Sequence, residues 1–213
     1  MTKKLQHPLT WYDCRGGEIY LNDQALSRIT ARMGQTPYYA YDRALIAERI
    51  GHLREMLPSG VKLHYAIKAN PMPALVCYIA PLVDGLDVAS KKEMHVALDS
   101  GTAPAEISFA GPGKSYEEIL AAVGANIVLN IESFSQLRLA AKAARQLQAT
   151  PRIAIRLNPE FELKSSGMKM TGGAKPFGVD SEQFPELIAE ARALGLEPEG
   201  LHLFTGSQNL KPE

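Results

Sequence analysis

The sequence predicts an α/β protein built on a parallel sheet, and three observations lead there. From residue 61 onward, short apolar runs alternate with single helix-length segments. Three of those segments open on Ser90-Lys91-Lys92-Glu93, Ser115-Tyr116-Glu117-Glu118 and Ser133-Phe134-Ser135-Gln136, the serine-to-acid or serine-to-amide spacing of a capping box. Nearly every predicted strand ends in polar residues. Strands separated by single helices must run parallel, because each crossover returns the chain to the same end of the sheet. A doubly wound sheet and a (β/α)8 barrel both meet this requirement. No Gly-x-Gly-x-x-Gly turn follows the first strand, which weighs against the dinucleotide-binding version.

Taken in order, residues 1–35 are poorly patterned around a Gly16-Gly17 turn and read as an arm with one hairpin. Thr36-Pro37-Tyr38-Tyr39-Ala40-Tyr41 is strand-like, and Asp42 is placed to cap a helix over 43–57 that stops before Pro58-Ser59-Gly60. A strand over 62–68 leads past Asn70-Pro71-Met72-Pro73 into a helix over 73–83. Strands at 85–88, 106–110, 126–130, 152–157 and 199–204 follow, with helices between them and a long loop from 158 to about 180. Six strands are therefore expected. A barrel needs eight and typically about 250 residues, so a barrel reading implies that this chain carries only part of one.

Composition narrows the function classes. The 213 residues are 46% hydrophobic and 22% charged, with 23 lysines and arginines against 23 aspartates and glutamates. No basic surplus or basic run points to nucleic acid or an anionic membrane. Cys14 and Cys77 lack metal-ligand spacing and fit a reducing compartment better than a disulfide framework. The amino-terminal residues have no apolar signal core, and no stretch is long enough to span a bilayer. A cytoplasmic protein is the expectation. The five histidines show no paired metal spacing, so no catalytic metal is expected.

Lys68 is the leading candidate for chemistry. It follows the apolar run His64-Tyr65-Ala66-Ile67 and precedes a proline turn, at the end of a strand where parallel α/β proteins do their chemistry. A lysine there is expected to lose hydration, which disfavours its charged form and makes the amine a nucleophile; on position alone the other reading is a solvated lysine at a loop. Asp87, Ser90, Asn130, Glu132, Arg156, Asn158 and Gly206-Ser207-Gln208 end the other strands, and in a barrel they rim one face. Gly111-Pro112-Gly113-Lys114 and Thr205-Gly206-Ser207 are turns whose backbone donors suit an anion. Neither matches the Gly-x-x-x-x-Gly-Lys-Ser/Thr phosphate loop, so nucleotide hydrolysis is not expected.

Tyr65-Ala66-Ile67-Lys68-Ala69-Asn70 resembles the lysine motif of pyridoxal-phosphate decarboxylases of the alanine-racemase-like fold, which include diaminopimelate and ornithine decarboxylases. Gly85-Leu86-Asp87-Val88-Ala89-Ser90-Lys91-Lys92-Glu93, Phe109-Ala110-Gly111-Pro112-Gly113-Lys114-Ser115, Asn130-Ile131-Glu132-Ser133, Arg156-Leu157-Asn158-Pro159 and Gly206-Ser207-Gln208 follow in that family's order, over roughly residues 36–210. The resemblance implies a partial (β/α)8 barrel over 42–213, with 1–41 an arm contributing to the family's β domain. It implies pyridoxal 5'-phosphate as cofactor, an amino acid as substrate and a homodimer for the full-length protein. By residue, Lys68 would carry the cofactor through its amine and return a proton after carbon dioxide is lost. Asp87 matches an acid near that lysine, Glu93 a substrate-side acid, Arg156 an arginine near the cofactor ring and Ser207 a phosphate ligand. Ala66 and His202 are expected beside the cofactor.

Two departures touch specificity. Phe204 stands where diaminopimelate decarboxylases usually have a ring-stacking histidine, with His202 two residues earlier; an aromatic still stacks but gives no proton. Lys175-Pro176-Phe177-Gly178 interrupts the usual Lys-Phe-Gly. Gly172–Val179 and Phe204–Leu210 look most like the bacterial branch associated with the exosortase A, exopolysaccharide system. The remaining barrel strands and the carboxyl-terminal β domain are expected beyond residue 213, so little activity is expected of these residues alone. A non-catalytic pyridoxal-phosphate-binding or regulatory homologue and an amino-acid racemase are the alternatives.

Overall fold

The computed structural model describes residues 12–160 and 175–207. The chain divides into two compact units, Met1–Leu57 and Pro58–Glu213.

In the first unit, β1 (Asp13–Arg15), β2 (Glu18–Leu21) and β3 (Gln24–Ala25) form an antiparallel meander. Both connections are two-residue turns with positive φ at each central residue, Gly16-Gly17 at 59° and 83° and Asn22-Asp23 at 46° and 60°. This is the hairpin turn whose twist suits paired strands. The expected single hairpin is thus two fused hairpins, and the Asn22-Asp23 turn is the one sequence patterning overlooked. An unexpected helix, α1 (Leu26–Met33), follows and stops at left-handed Gly34. Residues 36–41 are not a strand. No strand ladder runs through them among the described residues, and β propensity without a ladder does not make a strand. Asp42 caps α2 (Arg43–Met56) as expected, its Oδ1 accepting from the Ala44 and Leu45 amides at 2.8 and 3.4 Å.

The second unit is the parallel sheet. It contains β4 (His64–Ala66), β5 (Gly85–Val88), β6 (Ile107–Phe109), β7 (Val128–Ile131), β8 (Arg152–Asn158), the two-residue β9 (Val179–Asp180) and β10 (Pro198–Leu203). Their order is β10-β8-β7-β6-β5-β4, with β9 also pairing β8. Each long strand lies beside its sequence neighbour in parallel register, which is barrel order, without the reversal of a doubly wound sheet. The helices between them are α3 (Pro73–Ile79), α4 (Lys91–Asp99), α5 (Tyr116–Gly124), α6 (Phe134–Leu147) and α7 (Phe184–Ala193).

Strand alternation separates two environments. Leu86 and Val88, Ile107 and Phe109, Leu129 and Ile131, and Ile153 and Ile155 enter one core with Met94, Ile119, Leu137, Ala140 and Leu187 from the helices. The intervening residues Asp87, Ser108, Asn130 and Arg156 face the other side, where they line a cavity.

The caps hold with one refinement. Ser115 and Glu118 make the reciprocal box. Ser90 and Ser133 accept from the amides of Glu93 and Gln136, but those two side chains bond elsewhere: Glu93 to the Ala89 amide, and Gln136 to Glu132, Gly111 and Pro112.

Candidate active site

The inward residues of the strands enclose a cavity of about 730 Å³, within the usual range for a small-molecule site. Ala66 and Lys68 come from the β4 end, Asp87 from β5, Ser108 from β6, Asn130 from β7, Arg156 from β8, and His202 and Phe204 from β10 and its exit. Lys114 and Phe177 complete the polar and aromatic walls. Residues up to 138 positions apart in sequence meet here because parallel strands deliver all their carboxyl ends to one side.

Lys68 lies on this wall but not in the expected setting. β4 stops at Ala66, and Ile67–Ala69 form a 3-10 turn. Ile67 is fully buried, anchoring the turn in the core, and Lys68 one residue on is exposed. The expected loss of hydration is therefore not met among the described residues. The amine instead stands accessible at the cavity edge.

Asp87 is the centre of a polar row across β4, β5 and β6. Ser108 Oγ donates to Asp87 Oδ1 at 2.6 Å, and His64 Nδ1 lies 3.5 Å from the same oxygen. Asn130 Nδ2 approaches Ser108 Oγ at 3.4 Å. Burial pushes the Asp87 carboxyl up, but the hydrogen bonds from His64 and Ser108 outweigh this and leave it below the ordinary aspartate value. His64 is raised above an ordinary histidine, first by its hydrogen bond to Asp87, against the effect of burial. The sign follows from these directions. The His64 contribution to stability is complete below the ordinary histidine value and lost as pH rises through the folded one; the Asp87 contribution is complete above the ordinary aspartate value and lost as pH falls through the folded one. The pair therefore stabilises most between about pH 4 and 6.5. In a proton NMR titration, the His64 ring should titrate above an ordinary histidine, and Asp87→Asn should bring its midpoint down.

Gly85 makes room for that ring. It pairs with His64 in register, and a Cβ there would meet His64 Cε1 at 2.5 Å and the Glu106 carbonyl oxygen at 2.3 Å. Because one of those atoms is backbone, rotating the imidazole away cannot relieve both contacts. Gly85→Ala is expected to cost about 1–3 kcal/mol, read as a lowered urea midpoint, and to shift the His64 titration in the same protein.

Deeper in the wall lies a charged cluster of three, two of whose members, Glu132 and Lys114, sequence reasoning left as a strand end and a turn residue. Glu132, Lys114 and Arg156 are 3%, 6% and 6% exposed. Lys114 Nζ donates to the carbonyls of Gly111 and Asn130 at 2.6 and 2.8 Å and lies 3.8 Å from Glu132 Oε1. Arg156 Nη1 donates to Glu132 Oε2 at 3.2 Å, and its guanidinium lies 5.0 Å from the Phe177 ring centre. Burial pushes the Lys114 ammonium down to about 8, against the opposing effect of Glu132. The Gly111-Pro112-Gly113-Lys114 turn is therefore not an open anion cradle: the Gly111 amide donates to Glu132 Oε1, and Gln136 Nε2 donates to the Gly111 and Pro112 carbonyls. The Gly-Pro-Gly-Lys run immediately before the Ser115 cap was the signal available; burial of the lysine was not readable from it.

On the β10 side, His202 pairs with Arg156 in register. Burial, then the Arg156 charge, holds its imidazole below the ordinary value, so it is neutral at pH 7. Its Nδ1 is buried and has no hydrogen-bond partner among the described residues. Phe204 lines the cavity beside it, whereas Ser207 and Glu93 do not. Ser207 is half-buried just past β10, and Glu93 holds the amide of Ala89, which does line the cavity, at 2.7 Å. Gly178, with φ of 76°, lies so close to β8 that a Cβ would meet the Arg156 carbonyl oxygen at 2.9 Å, which seats Phe177 against Arg156. Gly172, Gly173 and Ala174, and Gln208 to Leu210, lie outside the described residues.

Comparison with known proteins accounts for this arrangement. Residues 43–213 match the family described as pyridoxal-dependent decarboxylase, pyridoxal binding domain, and the chain belongs to that family. It is 34% identical over 203 residues to a diaminopimelate decarboxylase of Aquifex aeolicus, covering 94% of this chain and 48% of that protein. It is 31% identical over 193 residues to the L-glutamyl-(BtrI acyl-carrier protein) decarboxylase of Niallia circulans, covering 90% and 45%. Among solved structures it resembles Helicobacter pylori diaminopimelate decarboxylase complexed with L-lysine, at a TM-score of 0.79 and 33% identity over 87% of this chain and 48% of that one. The chain spans about half the length of the curated relatives it matches.

The residues present fit a pyridoxal group. An accessible amine stands on the cavity edge, a neutral imidazole with an orphaned buried nitrogen faces the same space, and Asp87 and Arg156 supply opposite charges.

Proposed function

We propose that the whole protein containing this chain decarboxylates an amino acid at pyridoxal phosphate. The observation that carries the reading is the convergence of Lys68, Asp87, Arg156, His202 and Phe204 on one cavity, in a chain of the pyridoxal-binding family. Pyridoxal phosphate, when bound, supplies the electron sink for the pair left as carbon dioxide departs.

Lys68 holds the cofactor through its amine, and being at the cavity edge it can then return a proton to the reacting carbon. Ala66, small and inward on β4, leaves space beside it. Asp87, kept ionised by His64 and Ser108, balances positive charge on the cofactor side. His202 and Phe204 present ring faces, and neutral His202 adds no charge there. Arg156 contributes a fixed cation on the β8 side. Ser207, half-buried just past β10 and outside the cavity lining, would serve the phosphate end, and Glu93 would act on the substrate side by way of the Ala89 segment it holds.

Diaminopimelate and a carrier-bound glutamyl group name the relatives' substrates, so a linear amino acid with a second polar end is the substrate class. Phe204 and the Phe177 segment favour the exosortase A-associated branch and an exopolysaccharide setting over diaminopimelate itself. A reducing, cytoplasmic setting fits the free Cys14 and Cys77, and the homodimer of the full-length protein rests on the family resemblance. The test is carbon dioxide release by the full-length protein across diaminopimelate, lysine, ornithine, arginine and carrier-bound glutamate, with and without pyridoxal phosphate. Cofactor-dependent release from one of them supports the reading. A cofactor-bound protein that releases none and racemises alanine instead overturns it.

A further inference from the structure

We infer that Glu132 is a positioning residue whose two carboxylate oxygens divide the work: Oε1 is anchored to the Gly111-to-Lys114 turn, and Oε2 holds Arg156 at the cavity wall. The inference rests on the pyridoxal reading above for its consequence, and on geometry alone for the placement of Arg156.

The division is visible in the contacts. Oε1 accepts from the Gly111 amide and lies 3.8 Å from Lys114 Nζ. Lys114 is itself fastened to two backbone carbonyls, on the turn and on β7. The Glu132 amide donates to Gln136 Oε1 at 3.1 Å, and Gln136 Nε2 reaches back to the same turn. Oε1 is thus held by the turn before α5, and that turn is tied in its own right to Asn130 of β7 through Lys114 and to α6 through Gln136. Oε2 faces Arg156 Nη1 on β8, whose guanidinium also lies 5.0 Å from the Phe177 ring centre.

A buried carboxylate is a poor choice for stability alone, since apolar residues of similar volume often serve as well or better. What a carboxylate adds is direction. A charge-assisted hydrogen bond fixes where the guanidinium lies, and Arg156 lines the cavity while Glu132 does not. Glu132 therefore acts through Arg156 without touching a ligand.

The test uses the full-length protein as wild type, Glu132→Gln, Arg156→Gln and the double variant. In the apoprotein, labelling of Arg156 by phenylglyoxal, located by mass spectrometry, is expected to quicken several-fold in Glu132→Gln. Pyridoxal phosphate affinity, followed by fluorescence, is expected to fall about tenfold in Glu132→Gln and no further when the change is added to Arg156→Gln. Unchanged labelling, or losses that multiply in the double variant, overturns the inference. Should Glu132→Gln fail to fold, Glu132→Asp keeps the charge but shortens the reach to Arg156 by one methylene, and the same quickened labelling is expected. If wild type binds no pyridoxal phosphate, the proposed function fails, and the labelling still decides the role of Glu132.

Discussion

Lys68→Ala is expected to leave the full-length protein folded while lowering its decarboxylation rate by about a thousandfold or more. The two halves of that expectation come from different observations. Lys68 is exposed on a turn that Ile67 fastens to the core, and exposed substitutions away from caps and networks usually change stability by under about 0.5 kcal/mol. Its urea midpoint should therefore match wild type. Its amine is at once the attachment point and the proton donor of the proposed reaction, so both contributions go together. Adding a small primary amine to the assay should restore part of the rate, because a diffusible amine can replace the missing one in kind but not in placement. A variant that keeps the wild-type rate would remove Lys68 from the chemistry.

Glu132→Ala is expected to be the most destabilising single change in the cavity wall, by about 3–5 kcal/mol. It strips the shared carboxylate from two cations that are 6% exposed each, leaving both charges buried without it, and it leaves the Gly111 amide without its acceptor. The loss should appear as a lower urea midpoint in the apoprotein at pH 7. It should shrink as pH rises toward about 8 and level off above it, because Glu132 holds the Lys114 value up against burial, so that without it the lysine sheds its proton at lower pH than in wild type, where it does so at about 8. A loss that stays constant from pH 7 to 9.5 would mean that Lys114 and Glu132 are not energetically linked.

Much of this was legible in the sequence for definite reasons. The strands β4 to β8 and β10 were visible as short apolar runs separated by helix-length segments, three of which open on a serine cap, and parallel order follows from the crossovers; the two-residue β9 lay inside the expected loop. The cavity side was legible too, since Asp87, Asn130 and Arg156 interrupt otherwise apolar strands at alternate positions. What escaped notice depends on contacts between segments. Residues 36–41 look like a strand because of their aromatics, yet pairing decides strands. Lys68 was expected to be desolvated on the strength of the apolar run before it, but the buried residue is Ile67 and the turn sends its neighbour outward. Lys114 was read only as part of a turn whose backbone donors suit an anion, and its burial depends on the carbonyls of Gly111 and Asn130, which bond its amine. His64 and Gly85, 21 positions apart, share one space that no local pattern announces.

The measurement that tests the central claim most directly is the site of cofactor attachment. Full-length protein would be incubated with pyridoxal phosphate, reduced with borohydride, digested and mapped by mass spectrometry. Among the described residues two lysines line the cavity, and they differ physically. Lys114 has the amine that burial softens, to about 8, but its hydrogens are spent on two carbonyls beside a carboxylate; Lys68 is accessible. The account predicts the reduced adduct on Lys68 and none on Lys114. An adduct on Lys114, or no adduct on either, would contradict it.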